Sequence, residues 1–265
     1  MQRLLSLGFL CSALLAQSQS PLPVLIVGGA NNHDFAWTTP ELKSVMEETG
    51  RFRVDITTTP SKDLAAPDLG QKYRAIVLDY NGPRWGEAAE RNFLAAVRAG
   101  TGVAVIHAAN NSFPGWEEFE AMVGLCWREG TGHGAYHPFD VHVVDNNHPI
   151  TRGMADLRMH PDELYHRLVP MKGADYRVLL SAFSDPKTGG TGRYEPMGTV
   201  ARFGEGRIFH TPLGHTWSGV LPTRATWYDP QLRRFVARGT EWAATGSVTL
   251  DPTPLNFLTE ERSEE

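Results

Sequence analysis

The sequence predicts a single α/β domain in which a mainly parallel, doubly wound sheet is followed by antiparallel strands. In the first half, short apolar runs alternate with segments whose apolar residues recur at helical spacing. Strands that alternate with helices in this way pair in parallel through right-handed crossovers. In the second half, several runs alternate apolar and polar residues, and Gly204-Glu205-Gly206 predicts a tight hairpin between two of them.

Four strands are expected in the first half, because each is a short apolar or alternating run. They cover residues 21–27, 52–56, 75–78 and 102–106. The first helix is expected to begin at Thr38 or Thr39, either of which can cap it, with Pro40 in its first turn and Gly50 at its end. Residues 87–99 and a segment from about Pro114 predict two more helices, and residues 63–70 predict a loop or short helix.

The second half is expected to hold five strands. They are residues 139–145, 163–169, 176–183, 197–203 and 207–210. Residues 185–196 are glycine-rich and predict an exposed loop, whereas residues 230–244 predict a final helix capped by Asp229. Since no linker divides the chain, we expect one domain over residues 21–250, followed by a charged and loose tail over residues 251–265.

The first 20 residues have the pattern of a cleavable secretory signal. Arg3 precedes an apolar run that ends near Ala16, and small polar residues follow. The run is too short to span a membrane. We therefore expect a periplasmic or secreted protein with no stable membrane anchor after cleavage. Two alternatives are a lipid anchor on Cys11, which the bulky residues before it disfavour, and an uncleaved N-terminal helix.

Composition excludes few classes of partner but argues against nucleic acid. The chain has 25 Lys and Arg against 30 Asp and Glu, a formal net charge of −5, so a polyanionic partner is not expected. Removal of the signal leaves Cys126 as the single cysteine, and an internal disulfide is then impossible. A homo-oligomer is compatible with this composition.

Histidines are concentrated where ligands bind in α/β proteins. Of the 10 histidines, five lie in predicted loops or at strand ends beside glycines: His33, His107, His133, His137 and His215. His107 directly follows a buried strand, and His33 lies in the first strand–helix turn. The carboxyl ends of parallel strands form the edge at which open α/β sheets bind ligands. Histidine there suits proton transfer or metal binding, although either residue can also be a polar turn residue.

Other polar and aromatic residues are expected at the same edge. Asparagine and aspartate side chains that could bind hydroxyl groups follow the predicted strands, although turn chemistry explains each equally well: Asn31, Asn32, Asp79, Asn81 and Asn110. Four tryptophans lie in or beside predicted loops: Trp37, Trp85, Trp116 and Trp217. An aromatic ring with one polar atom suits the mixed faces of a sugar, whereas core packing is the alternative.

A metal or nucleotide cofactor is not firmly implied. His133 and His137 are four residues apart, which on a helix would place both on one face, as in zinc sites. The glycines and the proline around them argue against a helix, so a divalent metal remains a secondary expectation. Gly28-Gly29 lacks the G-x-G-x-x-G pattern of dinucleotide-binding loops.

Five stretches together resemble the ThuA-like (trehalose-utilisation) family, which is related in fold to class I glutamine amidotransferases. They are VLIVGGANNHDF, GVAVIHAANNSFPGWEEFEAMVG, GHGAYHPFDVHVVDNNHPITRGM, HPDELYHRL and PMGTVARFGEGRIFHTPLGHT. The resemblance implies a flavodoxin-like three-layer fold. It also implies that the turn after Ile106 corresponds to the nucleophile turn of the amidotransferases, where this chain has His107 instead of cysteine. Glutamine hydrolysis through a thiolate is therefore not supported.

The same resemblance implies a role in sugar metabolism, because the family is linked to disaccharide use through 3-keto sugars. His107, His133, Glu163 and His215 match its recurring polar positions. We expect a carbohydrate-active enzyme in which His107 transfers a proton, with Glu163 and either His33 or His215 as the partner group. Two alternatives are a non-catalytic sugar-binding or accessory protein and a metal-dependent hydrolase that uses several of the histidines.

Overall fold

A computed structural model describes residues 20–255 of the chain. Nearly all of the predicted signal and residues 256–265 of the predicted tail lie outside the described residues. Thirteen strands are present in the described part: β1 (Leu22–Val27), β2 (Phe52–Thr57), β3 (Ala75–Leu78), β4 (Gly102–Ile106), β5 (Leu125–Cys126), β6 (Gly132–His133), β7 (His137–Val143), β8 (Leu157–Asp162), β9 (Tyr165–His166), β10 (Val169–Pro170), β11 (Tyr176–Phe183), β12 (Tyr194–Phe203) and β13 (Gly206–Thr211).

Helices cover both faces of the sheet. The described α-helices are α1 (Phe35–Glu47), α2 (Pro60–Asp63), α3 (Leu69–Lys72), α4 (Glu87–Arg98), α5 (Glu117–Val123) and α6 (Pro230–Thr245). One hydrophobic core lies between the sheet and the α1 and α6 side, where Leu42 and Phe235 are fully buried. The second core lies on the α4 and α5 side, where Phe93 and Phe119 are fully buried. This arrangement is a three-layer sandwich. None of the helices between residues 20 and 255 is both long and apolar enough to cross a membrane.

The central sheet has nine strands in the order β2-β1-β3-β4-β13-β12-β11-β7-β8. The strands from β2 to β13 in this order run parallel, and those from β13 to β8 pair antiparallel. This confirms the predicted fold class, a mainly parallel sheet with an antiparallel extension. Ile106 at the end of β4 pairs with Thr211 at the end of β13. The turns that follow these two strands therefore meet at one edge.

The predicted strand over residues 163–169 is wrong. Residues 165–166 and 169–170 form two short strands in different small sheets, and Arg167 between them has a φ of 56°. A left-handed backbone of this kind interrupts an extended strand. The longer strand β8, which the sequence analysis left unassigned, ends at Asp162, and Glu163 follows in a turn.

The first helix begins earlier than predicted. It starts at Phe35, so Thr38 and Thr39 lie inside α1 and do not cap it, and Pro40 lies within the helix. Both threonine hydroxyls instead donate hydrogen bonds to the buried carboxylate of Asp79, at 2.8 and 2.7 Å. These side chains are used to satisfy a buried charge, which local helix-capping preferences do not anticipate.

The end of the described chain is docked on α6. Asp229 caps this helix as predicted, accepting a hydrogen bond from the backbone N–H of Gln231 at 2.8 Å. The backbone N–H of Leu255 donates to the carbonyl oxygen of Pro230, and Arg234 donates to that of Thr253. The prediction of a loose tail from residue 251 is therefore wrong for residues 251–255. The predicted loop over residues 185–196 is also shorter, because β12 begins at Tyr194.

Candidate active site

A cavity of about 570 Å³ opens at the carboxyl edge of the parallel strands. It is lined by Asn32, His33, Asn111, Trp127, His133, Tyr136, Glu163, Tyr165, His215, Trp217, Val220 and Thr223. The lining residues come from turns after β1, β4, β8 and β13 and from the loops that follow them. The sheet therefore brings distant parts of the chain to one place.

His107 does not line the cavity itself but lies directly behind two lining residues, His33 and Tyr165, both of which it contacts, and it is 4% exposed. It follows β4 directly and has a φ of 46°, a left-handed conformation that turns the chain abruptly. Its Nδ1 lies 2.6 Å from the carbonyl oxygen of Pro212, so Nδ1 carries the proton and donates it. Nε2 is then an acceptor, and the hydroxyl of Tyr165 donates to it at 2.9 Å.

His33 faces His107 from the turn after β1. The Nε2 atoms of the two rings are 3.2 Å apart. Nδ1 of His33 lies 3.0 Å from Oδ1 of Asn32 and 3.3 Å from Oδ1 of Asn31. The amide of Asn31 is oriented by Asp79, whose carboxylate accepts a hydrogen bond from its Nδ2 at 3.3 Å. Nδ1 of His33 is therefore the protonated nitrogen, and the lone pair of its Nε2 points toward His107.

His215 completes a cluster of three imidazoles. Its ring centroid lies 4.9 Å from that of His33 and 5.3 Å from that of His107. One nitrogen from each of the three rings lies within 4.8 Å of the corresponding nitrogens of the others. Nδ1 of His215 is also 3.1 Å from Oε2 of Glu163. A carboxylate therefore lies beside a cluster of three imidazoles, of which His33 and His215 line the cavity.

Burial keeps the three imidazoles uncharged. Together with the smaller effect of the neighbouring histidines, it lowers the pKa of His33 to about 2 and that of His215 to about 3. The pKa of His107 is lowered for the same reason. Burial also raises the pKa of Glu163 to about 6. At neutral pH the cluster thus consists of three uncharged imidazoles beside a carboxyl group.

Asp162, which the sequence analysis left unassigned, supports this cluster from below. It is fully buried, and its oxygens accept hydrogen bonds from the backbone N–H groups of Gly214 and His215. Thr226 and His160 also contact its carboxylate, at 2.6 and 3.1 Å. The sequence signal for Asp162 was its position directly before Glu163, in the segment Asp162-Glu163-Leu164-Tyr165. Which of two adjacent acids faces the cavity depends on the turn after β8.

The structure places the predicted hydroxyl-binding residues at different depths. Asn32 lines the cavity, and Asn81 donates a hydrogen bond to its side chain from outside. Asn31 lies beneath His33. Asp79 and Asn110 do not line the cavity, since Asp79 is occupied by Thr38, Thr39 and Asn31, and Asn110 is fully buried against His210. Neither of these two side chains is placed to contact a bound sugar directly.

His133 and His137 diverge. His133 lies at the end of β6 and lines the cavity, with Nδ1 3.5 Å from Oε2 of Glu163. His137 begins β7, bonds the carbonyl oxygen of Ala135 through Nδ1 at 2.7 Å and packs against Phe139. It does not line the cavity. The two histidines that are four residues apart therefore belong to different strands, in agreement with the glycines around them.

Trp217 is the one of the four singled-out tryptophans that lines the cavity. Its ring is stacked on His215 at an interplanar angle of 10° and is 46% exposed. Trp85 and Trp116 are buried in the core on the α4 and α5 side, and Trp37 lies within α1. Core packing is thus the role of Trp85 and Trp116. The aromatic lining also includes Trp127, Tyr136 and Tyr165, which the sequence analysis left unassigned.

The turn after β4 holds an imidazole where a nucleophile would lie. Cys126 is elsewhere, fully buried in β5, and burial raises the pKa of its thiol to about 12. A thiolate at this position is disfavoured. The groups available for chemistry in the cavity are therefore imidazoles, one carboxyl group and two phenols.

The sheet order and the position of the cavity define an open, flavodoxin-like α/β protein with its ligand site beyond the carboxyl ends of the parallel strands. The sequence pattern of the family described as "ThuA: Trehalose utilisation" matches residues 23–243. The chain belongs to this family. The comparison with curated proteins gives no match.

Solved structures agree with this assignment. A ThuA-like protein from Parabacteroides merdae is 32% identical to the chain with a TM-score of 0.78, and the match covers 89% of this chain and 97% of that protein. A ThuA-like protein from Bacteroides uniformis is 20% identical with a TM-score of 0.62, covering 87% and 96%. A cytoplasmic protein from Salmonella typhimurium is 13% identical with a TM-score of 0.60, covering 84% and 99%. The last two show similarity of fold alone.

Proposed function

We propose that this protein is a carbohydrate-active enzyme that acts on a sugar or a 3-keto-glycoside by proton transfer at the cavity. The contact of Glu163 with the cluster formed by His33, His107 and His215 carries this proposal, because Glu163, His33 and His215 all line the cavity. A general acid or base must lie within hydrogen-bond reach of the proton that it moves. Glu163 lines the cavity and so meets this requirement for a ligand bound there.

The cavity has the size and lining that a small sugar requires. Its volume of about 570 Å³ lies within the range of small-molecule sites. Trp217 offers an exposed ring face beside His215, and Asn32 and Asn111 offer polar groups on the lining. An apolar ring face combined with amide groups complements the C–H and O–H faces of a sugar. The family's description as trehalose utilisation supports the same substrate class.

Glu163 is assigned the proton transfer because its carboxyl group lies next to the histidine cluster and still faces the cavity. Oε2 lies 3.1 Å from Nδ1 of His215 and 3.5 Å from Nδ1 of His133. The carboxyl group can take a proton from a carbon next to a carbonyl, or give one to a glycosidic oxygen. Tyr165, which holds His107 through its hydroxyl, lies beside the same space and can hydrogen-bond the substrate oxygen.

The test is turnover of 3-keto-glycosides by the purified chain and by Glu163→Gln. The variant keeps the shape of the side chain but removes its acid–base capacity, so we expect kcat to fall by about 100-fold or more. Glu129→Gln, which alters an exposed acid close in sequence to the cavity residue Trp127, is the matched control and should retain full activity. Equal rates in both variants would remove Glu163 from the mechanism.

A non-catalytic sugar-binding protein is the second candidate, favoured by the exposed face of Trp217. Calorimetry on unmodified sugars, combined with mass spectrometry of the same samples, separates the two functions. Tight binding without any product from keto-sugars or glycosides would support the binding protein and contradict the enzyme. Product formation would support the enzyme and contradict the non-catalytic binding protein.

We further propose that the chain is exported, on the basis of the signal pattern in residues 1–20. Expression of the full chain in a Gram-negative host, followed by separation of periplasm and cytosol, tests this. We expect a shortened protein in the periplasm. A full-length protein confined to the cytosol would contradict it.

A further inference from the structure

Two of the three clustered imidazoles are held with their lone pairs facing each other. Nδ1 of His107 donates to the carbonyl oxygen of Pro212, and Nδ1 of His33 faces the side-chain oxygens of Asn31 and Asn32. In a neutral imidazole one nitrogen carries the proton and the other is an acceptor. Both Nε2 atoms are then acceptors, although they lie 3.2 Å apart. Two acceptors at this distance repel each other unless a cation or a proton lies between them.

The third imidazole lies at a distance suited to sharing the same cation. A donor nitrogen of His215 lies within 4.8 Å of those of His33 and His107. Around a tetrahedral zinc ion with metal–nitrogen bonds of about 2.0–2.1 Å, ligand nitrogens are about 3.3 Å apart. The pair formed by His33 and His107 already has this separation, and metal binding would bring the nitrogen of His215, which lies within 4.8 Å of both, to a similar distance. Three neutral imidazoles are a donor set typical of Zn²⁺.

The groups behind the imidazoles are those that orient metal ligands. Metal-binding histidines usually donate their second N–H to a backbone carbonyl, an amide or a carboxylate. His107 does so to Pro212, and His33 does so to the asparagines after β1. The backbone N–H of His215 is bonded to the buried carboxylate of Asp162, which fixes the turn that carries this ring. The rings of His33 and His107 and the backbone of His215 are thus held in place before any ligand arrives.

We propose that His33, His107 and His215 bind one divalent transition-metal ion, with Zn²⁺ the best match, and leave its fourth position open to the cavity. The metal binding itself depends on the three imidazoles alone; its role in turnover rests on the function proposed above. The fourth position faces the space lined by Glu163 and Tyr165. It would take a water molecule or one oxygen of a hydroxy-ketone, the chemical group that a 3-keto sugar presents.

Metal binding requires that Tyr165 give up one hydrogen bond. Its hydroxyl donates to Nε2 of His107 at 2.9 Å, and a metal would take that lone pair. The freed hydroxyl would then face a ligand held by the metal. Replacing Tyr165 by Phe removes a competitor for the nitrogen without removing a metal ligand. The variant should therefore bind the metal at least as tightly as the original chain.

The test uses the full chain expressed without a polyhistidine tag and treated with chelator. Zn²⁺ titration by calorimetry should give one ion per chain, and Co²⁺ should give the visible absorption of a four-coordinate nitrogen site. His33→Ala should weaken Zn²⁺ binding by at least about 100-fold. His137→Ala alters a histidine outside the cavity and should leave binding unchanged. Circular dichroism of the metal-free variants checks that each is folded.

The outcomes separate this inference from the proposed function. Failure of Zn²⁺, Co²⁺, Mn²⁺, Fe²⁺ and Ni²⁺ to bind the folded chain would overturn the metal site. Unchanged affinity in His33→Ala, or lost affinity in Tyr165→Phe, would also overturn the assignment of ligands. Sugar turnover by metal-free protein would contradict a catalytic role for the metal while leaving the enzyme proposal intact. Metal binding without turnover of any sugar would support the metal site and contradict the enzyme proposal.

Discussion

Oδ1 of Asp162 accepts a hydrogen bond from the backbone N–H of His215 at 3.2 Å, so a residue at the end of β8 fixes the turn that follows β13. Its other oxygen accepts the N–H of Gly214 at 2.7 Å and the hydroxyl of Thr226 at 2.6 Å. Asp162 does not line the cavity. Asp162 acts on the cluster through the backbone of His215, and its effect on stability can be measured separately from catalysis.

Asp162→Asn should destabilise the protein. Removal of one partner from a buried, hydrogen-bonded charge pair costs about 3–5 kcal/mol, and because Asp229 still pairs with His160 we expect the lower end of this range, about 3 kcal/mol. We expect the free energy of unfolding in urea to fall by that amount. Asp140→Asn is the control, because Asp140 pairs with the exposed Arg158 on the protein surface and should have little effect. Equal stability of the two variants would show that Asp162 is not a structural support.

Stability should fall at alkaline pH because of His160. Burial lowers its pKa, but hydrogen bonds and charges from Asp162 and Asp229 outweigh burial and raise it to about 9. Thr226 and the ring of Phe139 are the remaining contacts of this side chain. A histidine whose folded pKa exceeds its unfolded value of about 6.5 stabilises fully below pH 6.5 and loses this contribution as pH rises through about 9.

The measurement is urea unfolding between pH 6 and pH 10. The original chain should lose a few kcal/mol over this range, whereas His160→Gln should start less stable and show a flatter profile. A profile for the original chain that is flat or rises with pH would contradict the assignment of a protonated His160.

Gly214→Ala should disturb the histidine cluster sterically, because the substitution removes no polar group. This residue has a φ of +118°, and an added Cβ would lie 2.9 Å from a ring carbon of Trp227. Gly100→Ala is the matched control, since its φ is +116° and its added Cβ would lie 3.9 Å from Glu205, an ordinary van der Waals contact. Both variants carry backbone strain, so their difference isolates the clash, which we expect to cost a further 1–3 kcal/mol or so. Urea unfolding measures it, and identical values would argue against tight packing at Gly214.

Trp217→Ala should weaken sugar binding by about tenfold, because loss of an aromatic contact surface worth about 1.4 kcal/mol has that effect. Calorimetry with the Glu163→Gln background prevents turnover during the measurement. Tyr194→Ala removes another exposed aromatic side chain, on β12 away from the cavity, and should leave affinity unchanged. Equal affinities would exclude Trp217 from the sugar site.

Local sequence patterns were sufficient to predict most strands and helices of the parallel half of the sheet. The buried run that ends at Ile106 and the turn residue His107 could both be located from sequence, because apolar periodicity follows from burial. The segment after β8 could not, because its breaks arise from a left-handed residue, Arg167, and from pairing with two different partners. Thr38 and Thr39 were misassigned for a similar reason. Their hydroxyls bind a buried carboxylate from another strand.

The sequence by itself determined the family, the alternation of strands and helices, and the fact that His33 and His107 follow parallel strands. Their common edge follows from the topology that this alternation dictates. The resemblance to the family also indicated Glu163 and His215 as partners of His107. Only the tertiary structure decided that His215 and His33 lie together with His107 in one cluster, and that Asp162, Asp79 and Asn110 do not line the cavity. Side-chain direction and depth depend on contacts between residues far apart in the chain, such as Asp162 and His215, and local sequence does not encode them.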